Sequence, residues 1–318
     1  MTTVLVTGAN GYVGNNIVPK LLDKGYNVRA QVRDIEKAEM RLGDYKDKIE
    51  FVTGDVRDRQ QMEAIMDEVD VVIHLVAIAI EKGSATYEEV NYQGTIHVVD
   101  AAEKAGVRRF INMSQNGADS SLPYRFLKSK GKAQEYVASS KLDWTAMRPS
   151  AIFGPQDEFF NSIARLVQLT PGLFPLIGGG TAEFQPVSVY DVAEATVRAV
   201  EDENTIGMEL GLGGPEVLTL GEIESRIMEA LNTKRVMVPA PVGLLRPAVV
   251  VMQSVLPGSP VTTSLLDLLA VPNTVPDNAL VNQFGMDPIP FKGEHTHYLR
   301  DNEIGATLNQ FFTGKPPR

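Results

Sequence analysis

The sequence predicts an α/β protein: a doubly wound parallel sheet with helices on both faces and a smaller C-terminal lobe for a substrate or partner. Three observations carry this. Short β-rich runs alternate with helical stretches through the first half of the chain, the pattern of parallel strands joined by helical crossovers. The first apolar run, Val4-Leu5-Val6, feeds a glycine-rich turn and then an amphipathic helix. After Pro149 the rhythm breaks, with Pro155, Pro171, Gly172, Pro175 and Gly178-Gly179-Gly180 punctuating the chain. Long connections therefore replace the crossovers there, and such loops commonly face substrate.

Taken in order, strands are expected at Thr3–Thr7, Asn27–Val32, Ile49–Thr53, Val69–Val76, Arg109–Ser114 and Trp144–Arg148. Helices fall near Tyr12–Lys24, Arg59–Met66, Asn91–Ala105 and Phe126–Ser139. A helix at Val189–Val200 and a strand at Glu209–Leu212 return to the sheet. The expected nucleotide-binding domain is thus 1–154 joined by 184–213, and the smaller lobe is 155–183 with 214–318.

Of the 318 residues 43% are hydrophobic and 22% charged, the balance of a chain that buries a sizeable core. A net charge of -10 argues against a nucleic-acid partner. The absence of cysteine removes disulfides, thiolate metal sites and cysteine nucleophiles, and is compatible with a cytoplasmic location. No signal peptide is readable at the N-terminus. The most apolar later segment, Val242–Pro257, is interrupted by Arg246, Pro247 and Gln253 and is shorter than the roughly 20 residues of a spanning helix. The expectation is peripheral membrane contact at most, at the inner face.

The turn reads Thr7-Gly8-Ala9-Asn10-Gly11-Tyr12-Val13-Gly14 and precedes a helix carrying Ile17, Leu21 and Leu22. Bare glycines let the turn tighten and bring its amides, with the positive end of the helix, against a pyrophosphate; this is the Rossmann arrangement. Strand, triplet and helix in succession say more than a triplet alone. A site selecting NAD(H) places a carboxylate at the end of the second strand. Here that position is Val32, followed by Arg33 and, four residues on, Lys37. Two cations suit a 2′-phosphate, so NADP(H) is expected over NAD(H). The bland alternative makes Arg33 and Lys37 a solvated helix start, with Asp34 softening the preference.

The G-x-x-G-x-x-G spacing resembles the short-chain dehydrogenase/reductase superfamily, in its extended and atypical branches. Further motifs follow in order: Asp55-Val56, the strand ending Leu75-Val76-Ala77, Asn91 with Gly94-Thr95, and Arg148-Pro149 with Phe153-Gly154-Pro155. Gln185-Pro186-Val187-Ser188-Val189-Tyr190-Asp191-Val192-Ala193 and Gly213-Gly214-Pro215-Glu216-Val217-Leu218-Thr219 extend the likeness over nearly the full chain. They resemble the branch related to the nucleotide-binding accessory subunit of respiratory complex I and its free-standing bacterial relatives. The resemblance implies cofactor contacts from Gly8, Asn10, Gly11, Tyr12, Val13 and Gly14, and from Asp55 and Val56 beside the adenine. Val76, Ala77, Asn91, Ser114, Lys130, Pro149 and Ala151 would complete the set.

Active members of the superfamily combine a serine, a tyrosine and a lysine four residues after the tyrosine, the lysine lowering the tyrosine pKa for proton transfer. Two registers compete here. Tyr124 and Lys128 satisfy the spacing, yet Lys130 shares one apolar helix face with Phe126, Ala133 and Val137, while Lys128 points elsewhere. In the Lys130 register Phe126 occupies the tyrosine position, and Gln115, after Ser114, occupies the usual serine position. Neither residue supplies a proton to a carbonyl.

The expectation is therefore an NADPH-binding oxidoreductase-like protein with an unknown small-molecule substrate and an eroded proton relay. The alternative is a non-catalytic, NADPH-stabilised accessory or assembly protein docking on a membrane complex. An extended nucleotide-sugar epimerase or dehydratase ranks third, because that chemistry relies on the missing tyrosine. No metal is expected: His295 and His297 lack further ligands and read as a polar surface pair.

Overall fold

In the computed structural model the described residues are 1–241, 243, 247, 249, 266 and 269–301. The segment Val242–Pro257, three isolated positions apart, lies outside them. Among the described residues no helix is long and apolar enough to cross a membrane. The chain forms two compact units. The first comprises Met1–Pro149, Val189–Leu212 and Asp277–Met286; the second comprises Ser150–Ser188 with the described parts of Gly213–Pro276 and Asp287–Arg318.

The first unit is built on β1 (Thr3–Thr7), β2 (Asn27–Val32), β3 (Ile49–Thr53), β4 (Val71–His74), β5 (Arg109–Met113), β6 (Asp143–Pro149) and β11 (Met208–Leu212). They pair in the order β11-β6-β5-β4-β1-β2-β3, every pair parallel. Strand order reverses around β1, which pairs with β2 on one side and β4 on the other, leaving a crevice at the carboxyl ends where such sheets take their ligands. All four residues of β4 are buried, because a central parallel strand is covered on both faces. That explains why its sequence is a continuous apolar run rather than an alternating one.

Crossover helices are α1 (Gly14–Asp23), α2 (Ile35–Arg41), α3 (Arg59–Ala64), α4 (Gly94–Ala105), α5 (Arg125–Ser139) and α7 (Val189–Glu201). The expected helix at Tyr12–Lys24 starts two residues later, because the glycine turn consumes Tyr12 and Val13. The seven-residue α2 has no counterpart among the expected helices; Asp34 caps it by accepting the Lys37 amide. A wide π-helical turn, Tyr87–Gln93, leads into α4.

Arg109 stitches one side of the sheet. Its guanidinium is buried and donates to the Asp143 and Ala199 carbonyls and to the Thr145 and Thr205 hydroxyls, each at 2.7 Å. Burial pulls its pKa down to about 10, with the nearest acceptors all neutral.

In the second unit, α6 (Phe159–Leu169) and α8 (Leu220–Ala230) pack with three short sheets. These pair β7 (Ile152–Phe153) with β10 (Val187–Ser188), β9 (Glu183–Phe184) with β12 (Leu218–Thr219), and β8 (Leu173–Ile177) with β13 (Val236–Ala240). The core is aromatic: Phe160 lies 4.5 Å from Phe291 and 4.8 Å from Phe159 between ring centroids. A buried Asp157 carboxylate accepts the Phe160 amide at 2.7 Å and the Tyr298 hydroxyl at 2.8 Å, fixing the start of α6. Thr219 and Glu222 form a reciprocal capping box on α8.

One contact decides the entry of α1. A Cβ on Gly14 would sit 2.5 Å from the Gly8 carbonyl oxygen and 2.6 Å from that of Ala9, with backbone on both sides. Gly14→Ala is expected to lower stability by about 1–3 kcal/mol, the range for overpacking. Gly43→Ala, where the added Cβ meets nothing within 4 Å, leaves it unchanged. Urea unfolding of the two variants checks both.

Candidate functional site

The glycine turn closes on itself. Gly8 adopts φ +69°, and its amide donates to the Gln31 main-chain carbonyl at 3.1 Å and to the Gln31 side-chain oxygen at 3.2 Å. The Gly11 amide donates to Gly8 at 2.9 Å. Those two amides are therefore spent in shaping the loop. The amides of Val13 and Gly14 open α1 without an acceptor among the described residues, the arrangement that takes an anion at a helix N-terminus. Gln31, buried at the end of β2, also donates to the Gly54 carbonyl, so one side chain ties the turn to the exit of β3. Sequence reasoning passed over Gln31, because a polar residue within a strand carries no signal until its neighbours are known.

Beside the turn, Arg33 is exposed just beyond β2, and its charge contributes to the field that Asp55 feels. Lys37 is committed elsewhere: its ammonium lies 2.5 Å from the Asp34 carboxylate. Asp34 thus caps α2 and pairs with the exposed Lys37 ammonium, so a carboxylate stands beside the expected pair of cations. Arg41, one helical turn beyond Lys37, reaches back to the Asn10 carbonyl at 2.9 Å and supplies a second cation at the turn. The capping pattern Asp34-x-x-Lys37 is the signal that would have set Lys37 aside.

At the exit of β3, Asp55 is gripped by Arg57, with contacts of 2.6 and 3.0 Å. Hydrogen bonding to Arg57, then the weaker fields of Arg57 and Arg33, holds the Asp55 carboxyl below its ordinary range against the opposing effect of partial burial. Val56 is buried beneath Gly94, where a Cβ would fall 2.7 Å from a Val56 methyl. At the exit of β4, Val76 packs against Gly8, and Ala77 is exposed.

Beneath these exits runs a chain of hydrogen bonds with one consistent direction. The Leu75 amide donates to Thr7 Oγ1 at 3.2 Å, and Thr95 Oγ1 donates to the Asn91 carbonyl at 2.8 Å. His74 lies between, Nδ1 at 2.8 Å from Thr7 Oγ1 and Nε2 at 3.0 Å from Thr95 Oγ1. With the Thr95 hydroxyl hydrogen directed at Asn91, Nε2 donates to Thr95 Oγ1 and Nδ1 accepts from Thr7 Oγ1. The ring is neutral, and burial, assisted by the Lys130 charge, pushes its pKa down to about 3. Asn91, also buried, clamps Ile78 through both ends of its amide and donates to Ser129 on α5 at 3.1 Å.

On α5 the two lysines part. Lys130 is buried and donates to the Met113 carbonyl at 2.6 Å, whereas Lys128 is exposed. Desolvation lowers the Lys130 pKa to about 8. Tyr124 stands at the N-cap with extended backbone, outside the helix proper. Phe126 packs edge-on against Tyr87 with ring centroids 5.7 Å apart. Ser114 is buried and donates to Gln134 at 2.5 Å, while Gln115 is half-buried. Pro149 accepts the Asn116 amide at 2.9 Å at the end of β6. Ala151 belongs to the second unit, where its carbonyl accepts the Val187 amide at 2.9 Å.

The sheet order, the glycine turn and the amides opening α1 define a Rossmann-type nucleotide-binding fold. The NAD(P)H-binding family matches residues 8–203, and the chain belongs to that family. It is 35% identical over 227 residues to the mitochondrial NADH dehydrogenase [ubiquinone] 1 alpha subcomplex subunit 9 of Arabidopsis thaliana. That match covers 69% of this chain and 55% of that protein, so the chain spans little more than half of this relative's length. It is 25% identical to the mitochondrial NADH-ubiquinone oxidoreductase 40 kDa subunit of Neurospora crassa, over 96% of this chain and 80% of that one. Among solved structures it shares its fold with the Thermus thermophilus UDP-glucose 4-epimerase complexed with NAD: TM-score 0.62, 23% identity, 76% of this chain and 86% of that one.

The buried His74 makes the site sensitive to acid. Its folded pKa lies below the ordinary 6.5, so the unfolded chain binds the extra proton between about pH 6.5 and 3. Its contribution to stability is complete above pH 6.5 and is lost as the pH falls toward 3, by up to about 1.4 kcal/mol per pH unit. Urea unfolding across this range should show that slope, and His74→Gln should flatten it.

Proposed function

We propose that this protein holds NADP(H) at the glycine turn and is oxidoreductase-like, acting on an unidentified small molecule without the superfamily's usual proton relay. The observation that carries the cofactor choice is Arg33, an exposed guanidinium directly after Val32, the position at which an NAD(H) site would present a carboxylate. Val13 and Gly14 amides would take the pyrophosphate. Arg33 would meet the 2′-phosphate, with Lys37 held back by Asp34. Asp55 and Val56 would border the adenine, and Val76 and Ala77 the far side. Lys130, keeping one proton on the Met113 carbonyl, has two left for the ribose hydroxyls near the nicotinamide. Pro149 would complete the contacts.

The cofactor supplies a hydride. What the chain lacks is a side chain to deliver the accompanying proton at the customary place, because Phe126 and Gln115 stand there. An enone, quinone or carbonyl that takes hydride from the cofactor and its accompanying proton from solvent suits such a site better than a sugar that must be oxidised and reduced in turn. The same two residues favour a second reading, in which the nucleotide stabilises a non-catalytic accessory protein on a membrane complex. The names of the Arabidopsis and Neurospora relatives support it.

Arg33→Ala is expected to weaken NADPH by about 1.5–3 kcal/mol, the worth of a hydrogen bond to a charged group, and to leave NADH nearly unchanged. Equal losses for both nucleotides in a calorimetric titration would remove the 2′-phosphate assignment.

Lys130→Ala should weaken nucleotide binding, while Lys128→Ala and Tyr124→Phe do little. Loss of NADPH-dependent reduction in Tyr124→Phe, with unchanged affinity, would restore the ordinary tyrosine–lysine mechanism. Binding of NADPH without turnover of any carbonyl, enone or quinone would select the accessory role.

A further inference from the structure

β8 and β13 pair in parallel with Leu173 opposite Val236, Phe174 opposite Met237 and Pro175 opposite Val238. Strand alternation sends Phe174 and Met237 into the aromatic core and turns the other four outward. Leu173 is 63% exposed, Val236 64% and Val238 43%. Parallel strands are ordinarily covered on both faces, and four contiguous apolar side chains differ from the scattered exposure of a normal surface.

Charge indicates what covers this face. The protein is acidic overall, at -10, yet no Asp or Glu occurs from Phe159 to Ala182 or from Ala230 to Leu266, the two stretches that contain β8 and β13. Their charged residues are Arg165, Lys234, Arg235 and Arg246. Lys234 is exposed where β13 begins, level with Leu173 and Val236. Arg235 is anchored beside it, donating to the Thr170 carbonyl at 2.7 Å. Outward apolar side chains on two stretches whose only charged residues are cations, with Lys234 and Arg235 directly before Val236, match a surface of hydrocarbon beneath phosphate.

We propose that the β8–β13 face docks the protein on an anionic phospholipid surface. Leu173, Pro175, Val236 and Val238 enter the boundary between headgroups and acyl chains, and Lys234 and Arg235 lie at the phosphates. This goes beyond the nucleotide reading, which concerns the first unit and stands or falls separately.

The test is flotation of the full chain with phosphatidylcholine vesicles, with and without phosphatidylglycerol. Binding should require phosphatidylglycerol and weaken with salt. Leu173→Glu with Val236→Glu should lower partitioning at least about tenfold, Val238→Glu less, and Met40→Glu, an exposed apolar position in the first unit, not at all. NADPH titration and far-ultraviolet circular dichroism establish that each variant is folded. Absence of vesicle binding overturns the proposal, as does full binding by the folded double variant. Concentration-dependent dimers of the parent that the same substitutions dissolve, without vesicle binding, would assign the face to a second copy instead.

Discussion

The nucleotide end of the first unit depends on a contact between backbones. Gly14 lies so close to the carbonyls of Gly8 and Ala9 that hydrogen is the largest group it can carry. Because of that approach α1 starts directly over the end of β1, its first amides facing the crevice where strand order reverses. Gln31 then closes the turn from the β2 side and, through Gly54, aligns the exit of β3. The glycine turn and the exits of β2 and β3 thus hang from one steric condition and one buried amide. Arg33, Arg41 and the Asp55–Arg57 pair are decorations on a frame already set.

The second layer of control is the directed chain through Thr7, His74, Thr95 and Asn91. It joins β1, β4 and α4 below the crevice and reaches α5 through Ser129. Lys130 lies on that same helix, so the position of its ammonium inherits the register of the whole chain. The hydrogen-bonded frame below the crevice is continuous across these elements, whereas Phe126 and Gln115 beside it are an apolar side chain and an amide.

Much of this was legible in the sequence. β1, β2 and β3 run over the residues their apolar patterns mark, because each is bounded by a turn signal. β4 and β5 end earlier than their apolar content suggests, since hydrogen bonding to neighbours, not hydrophobicity, sets a strand's limits. Helical phase separated Lys130 from Lys128, as burial on one face obeys a fixed period. What was not legible depends on partners distant in sequence. Lys37 is withdrawn by an N-cap, Gln31 acquires meaning only from Gly8 and Gly54, and α2 is too short to declare a periodicity. The return of Asp277–Met286 to the first unit likewise leaves no mark in its composition.

Arg109 has a consequence for the order in which the chain can mature. Its terminal nitrogens donate to Asp143 and Thr145, but also to Ala199 and Thr205, 90 and 96 residues further along. On the ribosome, β5 emerges long before those acceptors exist. Until α7 follows, the cation at the start of β5 must keep water, and this side of the sheet stays wet. The last strand, β11, comes directly after Thr205. The sheet therefore dries and gains its outer strand together, late in synthesis, although most of its strands lie in the first half of the chain.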